Sequence, residues 1–182
     1  MSFIELVKKR RSIRKFKPDP VSNEQVMQVL ETARLAPSGN NSQPWRFVIV
    51  RDEKIRRALY ETSGQQRFML EAPMVIALLA DITCRVPSPA SVNHPENADN
   101  LRKIIRDTSI GGEHVALAAT DLGLATCWNA MFAQGDVKPV LKVPDDHYVV
   151  AIFALGYANE APPMRPRRPL KELIYNEEFG KR

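Results

Sequence analysis

The chain has 182 residues, 44% hydrophobic and 26% charged, which excludes disordered, collagenous and coiled-coil classes and fits one domain spanning residues 1–182. Its net charge of +5 is local: residues 8–17 carry +7 with no acid among them, so the other 172 residues sum to −2. Only Cys84 and Cys127 are present, with no C-x-x-C pair, so neither a metal site nor a disulfide framework is expected.

Ser2 with Glu5 forms a capping-box signature that opens a short helix through about Arg10, with Phe3, Ile4 and Val7 as its apolar face and Ser12 at its exit. Ser22 with Gln25 repeats the signature. There Val26, Val29, Leu30 and Ala33 recur at helical spacing until Ala36 and Pro37 stop the helix. Trp45–Val50 is aromatic and β-branched and reads as a strand, after which Asp52 caps a helix carrying Ile55 and Leu59.

Met74–Ala80 is a continuous apolar run that predicts a strand buried on both faces. Residues 83–97 hold Pro87, Pro89 and Pro95 among Ser and Asn, and a loop of that length suits a lid. A long helix follows from Asp99 or Asn100 to about Leu122 and ends at Gly123. Gly111, Gly112, Ala116, Ala118 and Ala119 keep it thin enough for a close neighbour. Ala125–Asn129 and Tyr148–Leu155 predict further strands, with a short helix at Asp136–Lys142 between them. Four prolines between Asn159 and Pro169 make residues 159–182 an extended C-terminal arm, with one helical turn at Leu170–Tyr175. Helices and strands interleave without a βαβ repeat, which gives an α+β or mixed α/β chain.

No apolar stretch reaches the roughly 18 residues of a membrane span. The N-terminal apolar residues precede the basic cluster, the reverse of an export signal, so the expected address is cytoplasmic. Phosphate-loop, dinucleotide-fingerprint, zinc-protease and nucleophile-elbow motifs are all missing, and His94, His114 and His147 are isolated in sequence. Two features stand out. One is the basic run with a second cluster at Arg165, Arg167 and Arg168. It suits a small anion bound between the chain's two ends, or alternatively a solvated basic face or a nucleic-acid-binding module using residues 8–17. The other is Pro37-Ser38-Gly39-Asn40-Asn41-Ser42-Gln43-Pro44-Trp45, rich in uncharged donors and acceptors. It suits the edge of a flat heteroaromatic ligand, or an Asx-rich turn that bonds its own backbone.

The segment Arg10-Arg11-Ser12-Ile13-Arg14, the loop Ala36–Trp45 and Gly123-Leu124-Ala125-Thr126-Cys127-Trp128 together resemble the FMN-dependent nitroreductase family, over nearly the whole chain. The resemblance implies an α+β fold with a central, mainly antiparallel sheet flanked by helices, in an intertwined homodimer with FMN sites at the interface. It implies that Arg10, Ser12, Arg165 and Arg167 hold the FMN phosphate with help from Arg11, and that Arg14 lies beside flavin N1 and O2, where a cation tunes reduction. Pro37, Ser38, Gly39 and Asn41 would reach the flavin from the partner subunit. Gln65 or Gln66 would lie near the pyrimidine edge, and Asn129, Ala130 and Met131 would face N5 and O4. Many relatives have glycine where Ala130 and Met131 stand, so Met131 would narrow the pocket. The implied chemistry is ping-pong hydride transfer from NAD(P)H to a small acceptor such as a nitroaromatic or quinone. No acid, base or nucleophile is required of the protein, and residues 83–97 serve as the acceptor-selecting lid. Ene-reduction, dehalogenation or flavin fragmentation on the same fold is the alternative.

Overall fold

The computed structural model describes residues 1–181. Four strands form one antiparallel sheet: β1 (Trp45–Val50), β2 (Met74–Asp81), β3 (Ala125–Asn129) and β4 (His147–Gly156), in the order β1-β2-β4-β3. Both central strands are covered on both faces, and every residue of β2 is buried. Side chains alternate across a strand. Met74, Ile76, Leu78 and Ala80 therefore pack with Val29, Ala33, Val115 and Phe153 on one side, while Val75, Ala77 and Leu79 pack with Leu59, Met69, Val137 and Ile152 on the other.

The first layer is built by α2 (Asn23–Arg34) and α5 (Ala98–Asp121), the second by α3 (Glu53–Thr62), α4 (Phe68–Glu71) and α6 (Gln134–Leu141). Both predicted capping boxes are formed: Ser2 opens α1 (Phe3–Lys9) and Ser22 opens α2. Asp52 accepts from the Ile55 N–H at 3.0 Å to start α3. The small residues of α5 have specific neighbours. A Cβ on Gly111 would lie 3.5 Å from the Ala33 carbonyl of α2, and one on Gly112 would lie 2.7 Å from the Trp128 ring. Gly112 thus lets Trp128 of β3 lie flush on the central helix, edge-on to Phe153 with centroids 4.8 Å apart.

Several expectations shift in detail. α6 begins at Gln134, two residues before the expected start, with Pro139 inside it, and the four-residue α4 has no counterpart in the sequence reading. The apolar face of α1 is uncovered: Phe3 is 67% exposed and Ile4 61%, and no residue of α1 is buried. Beside it, Phe3, Leu6, His114, Leu117 and Leu122 border an apolar cavity of about 440 Å³, where His114 Nδ1 lies 3.2 Å from the Thr32 carbonyl oxygen. Residues 83–97 hold two short 3-10 turns and are tied down along their length. The Val92 N–H donates to the Asp145 carbonyl at 2.9 Å, and Asn97 Nδ2 donates to the Ser91 carbonyl at 3.0 Å. No helix among the described residues is long and apolar enough to cross a membrane.

Candidate functional site

After α1 the chain runs alongside the sheet edge. Ser12 makes a parallel bridge with Thr126, and the Ile13 N–H donates to the Thr126 carbonyl at 2.9 Å. Phe16 then pairs antiparallel with Ala158. Lys17 donates to the Tyr157 carbonyl and Asn159 to the Lys15 carbonyl, both at 2.9 Å. Ile13 and Phe16 are each 6% exposed and anchor the segment in the core. The residues between and around them are left facing outward.

This stitching brings the two ends of the chain together. Arg10, Arg11, Ser12 and Arg14 share one cavity of about 200 Å³ with Arg165 and Arg167, walled by Pro162 and Pro163. Among the described residues, Arg10 alone of these five guanidiniums has a carboxylate partner, Glu113 at 3.5 Å. Glu160 accepts from the backbone N–H of Arg14 instead, which fixes the main chain and leaves the guanidinium available. Arg11 Nη1 donates to the Lys8 and Arg10 carbonyls, while its buried Nε has no partner among the described residues. Five cations with so little counter-charge, plus a hydroxyl and an unsatisfied buried donor, fit a dianionic group such as a phosphate monoester.

A second polar group sits at the other end of β3, three residues beyond Thr126 and so about 10 Å along the strand. Asn129 is 2% exposed, donates through Nδ2 to the Ser63 carbonyl at 3.1 Å and accepts the Met131 N–H at 2.9 Å. It thereby straps the turn after α3 to the segment after β3. That turn holds Gly64 at φ +68° and Gln65 at φ 48°. Gln66 Nε2 donates to the Gly64 carbonyl at 3.1 Å and lies 3.6 Å from Met131 Sδ. The predicted Gln65, Gln66, Asn129, Ala130 and Met131 are therefore one cluster, with Met131 64% exposed over it. Asn129→Ala leaves the Ser63 carbonyl and the Met131 N–H without their partner. An expected cost of about 1–3 kcal/mol follows, read as a lowered urea midpoint at unchanged slope.

The loop Pro37–Trp45 is a third group, and within one protomer it does not line the arginine cavity. It folds as a 3-10 turn, Gly39–Asn41, with Asn40, Asn41 and Gln43 at φ 54°, 53° and 47°. Part of its polarity is spent internally: Ser38 Oγ accepts the Gln43 N–H at 2.9 Å, and Gln43 Nε2 donates to the Asn41 carbonyl at 3.4 Å. Arg85 and Asp107, which sequence reasoning missed, hold it from outside. They lie 46 and 68 residues from Gly39, and no local motif marks them. Burial pushes the Cys127 thiol up against the opposing pull of Arg14, and burial also raises Cys84.

The model of the nitroreductase family matches residues 7–157. The chain belongs to the nitroreductase family. An NADH dehydrogenase of Thermus thermophilus is 32% identical over 187 residues, covering 91% of each chain. Among solved structures, a nitroreductase family protein of Clostridium difficile superposes with a TM-score of 0.81 at 30% identity, covering 98% of this chain and 100% of that one. A Desulfovibrio desulfuricans protein assigned as a nitroreductase, in complex with FMN, superposes with a TM-score of 0.83 at 27% identity, covering 97% and 96%. The four-stranded antiparallel sheet flanked by helices is thus the nitroreductase fold expected from the resemblance.

Proposed function

We propose that this nitroreductase family member is an NAD(P)H-dependent oxidoreductase carrying FMN, and that it reduces a small acceptor such as a nitroaromatic or quinone. The observation that carries the reading is the convergence of Arg10, Arg11, Ser12 and Arg14 with Arg165 and Arg167 on one cavity. Arg10, Ser12, Arg165 and Arg167 hold the phosphate of FMN, and Arg11 supplies a further donor. FMN supplies the chemistry when bound, accepting a hydride from NAD(P)H and delivering it to the acceptor.

The chain's own residues bind and orient. Arg14 presents positive charge to the pyrimidine edge of the ring. The Asn129 strap would fix Gln65 or Gln66 near the pyrimidine edge and the backbone of Ala130 and Met131 toward N5 and O4. Met131 projects over that cluster and limits acceptor size. Residues 83–97 act as the acceptor-selecting segment.

The active unit is a homodimer in which Pro37, Ser38, Gly39 and Asn41 of one protomer complete the site of the other. Support comes from apolar surface that one protomer leaves open. Phe3 and Ile4 of α1 stand clear, and in the arm Leu170 is 70% exposed, Leu173 57% and Phe179 91%. Apolar side chains left this exposed on α1 and on the arm suit burial against a second copy of the chain.

The test is direct. Purified protein is expected to be yellow, to bleach anaerobically with NADH or NADPH, and to regain colour on adding a nitroaromatic or quinone. Bound FMN that neither nucleotide bleaches would overturn the reading. So would a colourless protein that FMN cannot restore and that binds DNA with steep salt dependence.

A further inference from the structure

We propose that Arg85 and Asp107 are positioning residues that hold the Gly39 peptide, and that through them the segment after β2 sets the shape of the polar loop offered to the neighbouring subunit's flavin. The functional part rests on the reading above, whereas the clamp stands on geometry within one chain.

Gly39 is held by both of its backbone polar groups. Its N–H donates to Asp107 Oδ2 at 3.0 Å, and its carbonyl accepts from Arg85 Nη2 at 3.0 Å. The same Nη2 and Oδ2 atoms pair with each other at 3.0 Å, which closes a ring of three contacts. Both side chains are largely withdrawn from solvent, 16% and 13% exposed, so the pair is less screened than the surface ion pairs of this chain.

Glycine at 39 leaves room for the Arg85 guanidinium to sit where it does. A Cβ there would stand 2.6 Å from Arg85 Nη2 and 3.5 Å from Asp107 Oδ2. The loop also needs outside support, because three non-glycine residues in it have left-handed backbone, at Asn40, Asn41 and Gln43.

The clamp's two bases are rigid. Asp107 lies within α5, the 24-residue central helix. Arg85 leaves a turn tied down by Asp81, whose Oδ1 accepts from the Thr83 N–H at 2.8 Å and from Thr83 Oγ1 at 2.6 Å. Asp81 Oδ2 in turn holds Arg46 Nη2 of β1 at 2.6 Å. The segment beginning at Thr83 therefore reaches the site by gripping the loop that carries Ser38 and Asn41.

Two measurements on Arg85→Ala, Arg85→Lys, Asp107→Ala and Asp107→Asn test this, with wild type alongside. Hydrogen exchange by mass spectrometry on cofactor-free protein reads the loop itself. Peptides covering residues 37–44 are expected to exchange at least about tenfold faster in both alanine variants, with the core strands unchanged. Lys at 85 and Asn at 107 keep a donor and an acceptor and should restore much of the protection.

In FMN-loaded protein, the alanine variants are expected to raise KM for the acceptor by about tenfold or more and to alter the visible circular dichroism of the flavin. Bleaching by NAD(P)H at saturation should change little. Unchanged exchange in residues 37–44 would overturn the clamp. Faster exchange with unaltered KM and flavin dichroism would leave a clamp with no influence on the site, and so overturn the positioning role. If wild type takes up no FMN while the exchange result holds, the functional reading fails and the clamp survives.

Discussion

Replacing Arg165 and Arg167 together with alanine is expected to weaken FMN binding about 100-fold while leaving riboflavin binding nearly unchanged. A hydrogen bond to a charged group contributes about 1.5–3 kcal/mol, and two at the lower end, appropriate to exposed side chains, give that factor. Riboflavin lacks the phosphate, so it separates loss of the anion site from collapse of the ring site. Folding should be spared. The arm contributes no buried residue from Met164 to Ile174, and the one described side-chain bond of the pair is Arg167 Nη1 to the Arg165 carbonyl at 3.1 Å. Fluorescence titration of the cofactor-free variant provides the measurement. FMN affinity equal to wild type would remove the arm from the site.

Arg14→Ala is expected to slow anaerobic flavin reduction by NADH about 10- to 100-fold, with FMN affinity falling less than about tenfold. The separation follows from how Arg14 is held. Its main chain is fixed by Glu160 and by the buried neighbours Ile13 and Phe16, whereas among the described residues its guanidinium has only a 3.4 Å contact to the Ser12 carbonyl. On the proposed reading, Arg10, Arg11, Arg165 and Arg167 remain to bind the phosphate. On that same reading, the substitution removes positive charge beside the ring edge, where reduction would deposit electron density. Arg14→Lys should recover most of the rate, because charge rather than bidentate geometry is needed there. Stopped-flow reduction alongside a binding titration checks both quantities, and equal losses in rate and affinity would refute a charge-tuning role.

Much of the fold was legible because the local signals were strong and independent. The two capping boxes, the β-branched run at Trp45–Val50 and the uninterrupted apolar run of β2 each specify an element without help from distant residues. α4 was not legible, since four residues are too few for a helical period and Phe68 and Met69 are buried by tertiary packing. Phe3, Ile4 and Val7 carry the right period for α1, but a stripe does not say what covers it, and among the described residues all three stay largely exposed.

The candidate site divides the same way. The basic run and the polar loop were conspicuous from composition, and the resemblance joined them into one site. That the two basic segments meet depends on backbone pairing between residues such as Phe16 and Ala158, which no spacing encodes. Asn129 looks like an ordinary strand end until its contacts with Ser63 and Met131 are seen. Arg85 and Asp107 stayed hidden because a charged residue on a loop or helix is unremarkable until its partner is known.

The seam between residues 12–17 and 157–160 has a bearing on biosynthesis. Arg14 and Glu160 stand 146 positions apart, so residues 12–17 must wait for residues 157–160 to be made before their pairing exists. At about 5–20 residues per second, several seconds of synthesis separate the two sides of the arginine cavity before it can close. On the proposed reading, a chain truncated before Tyr157 lacks both the seam and the arm arginines, and is expected to retain no FMN and to purify colourless.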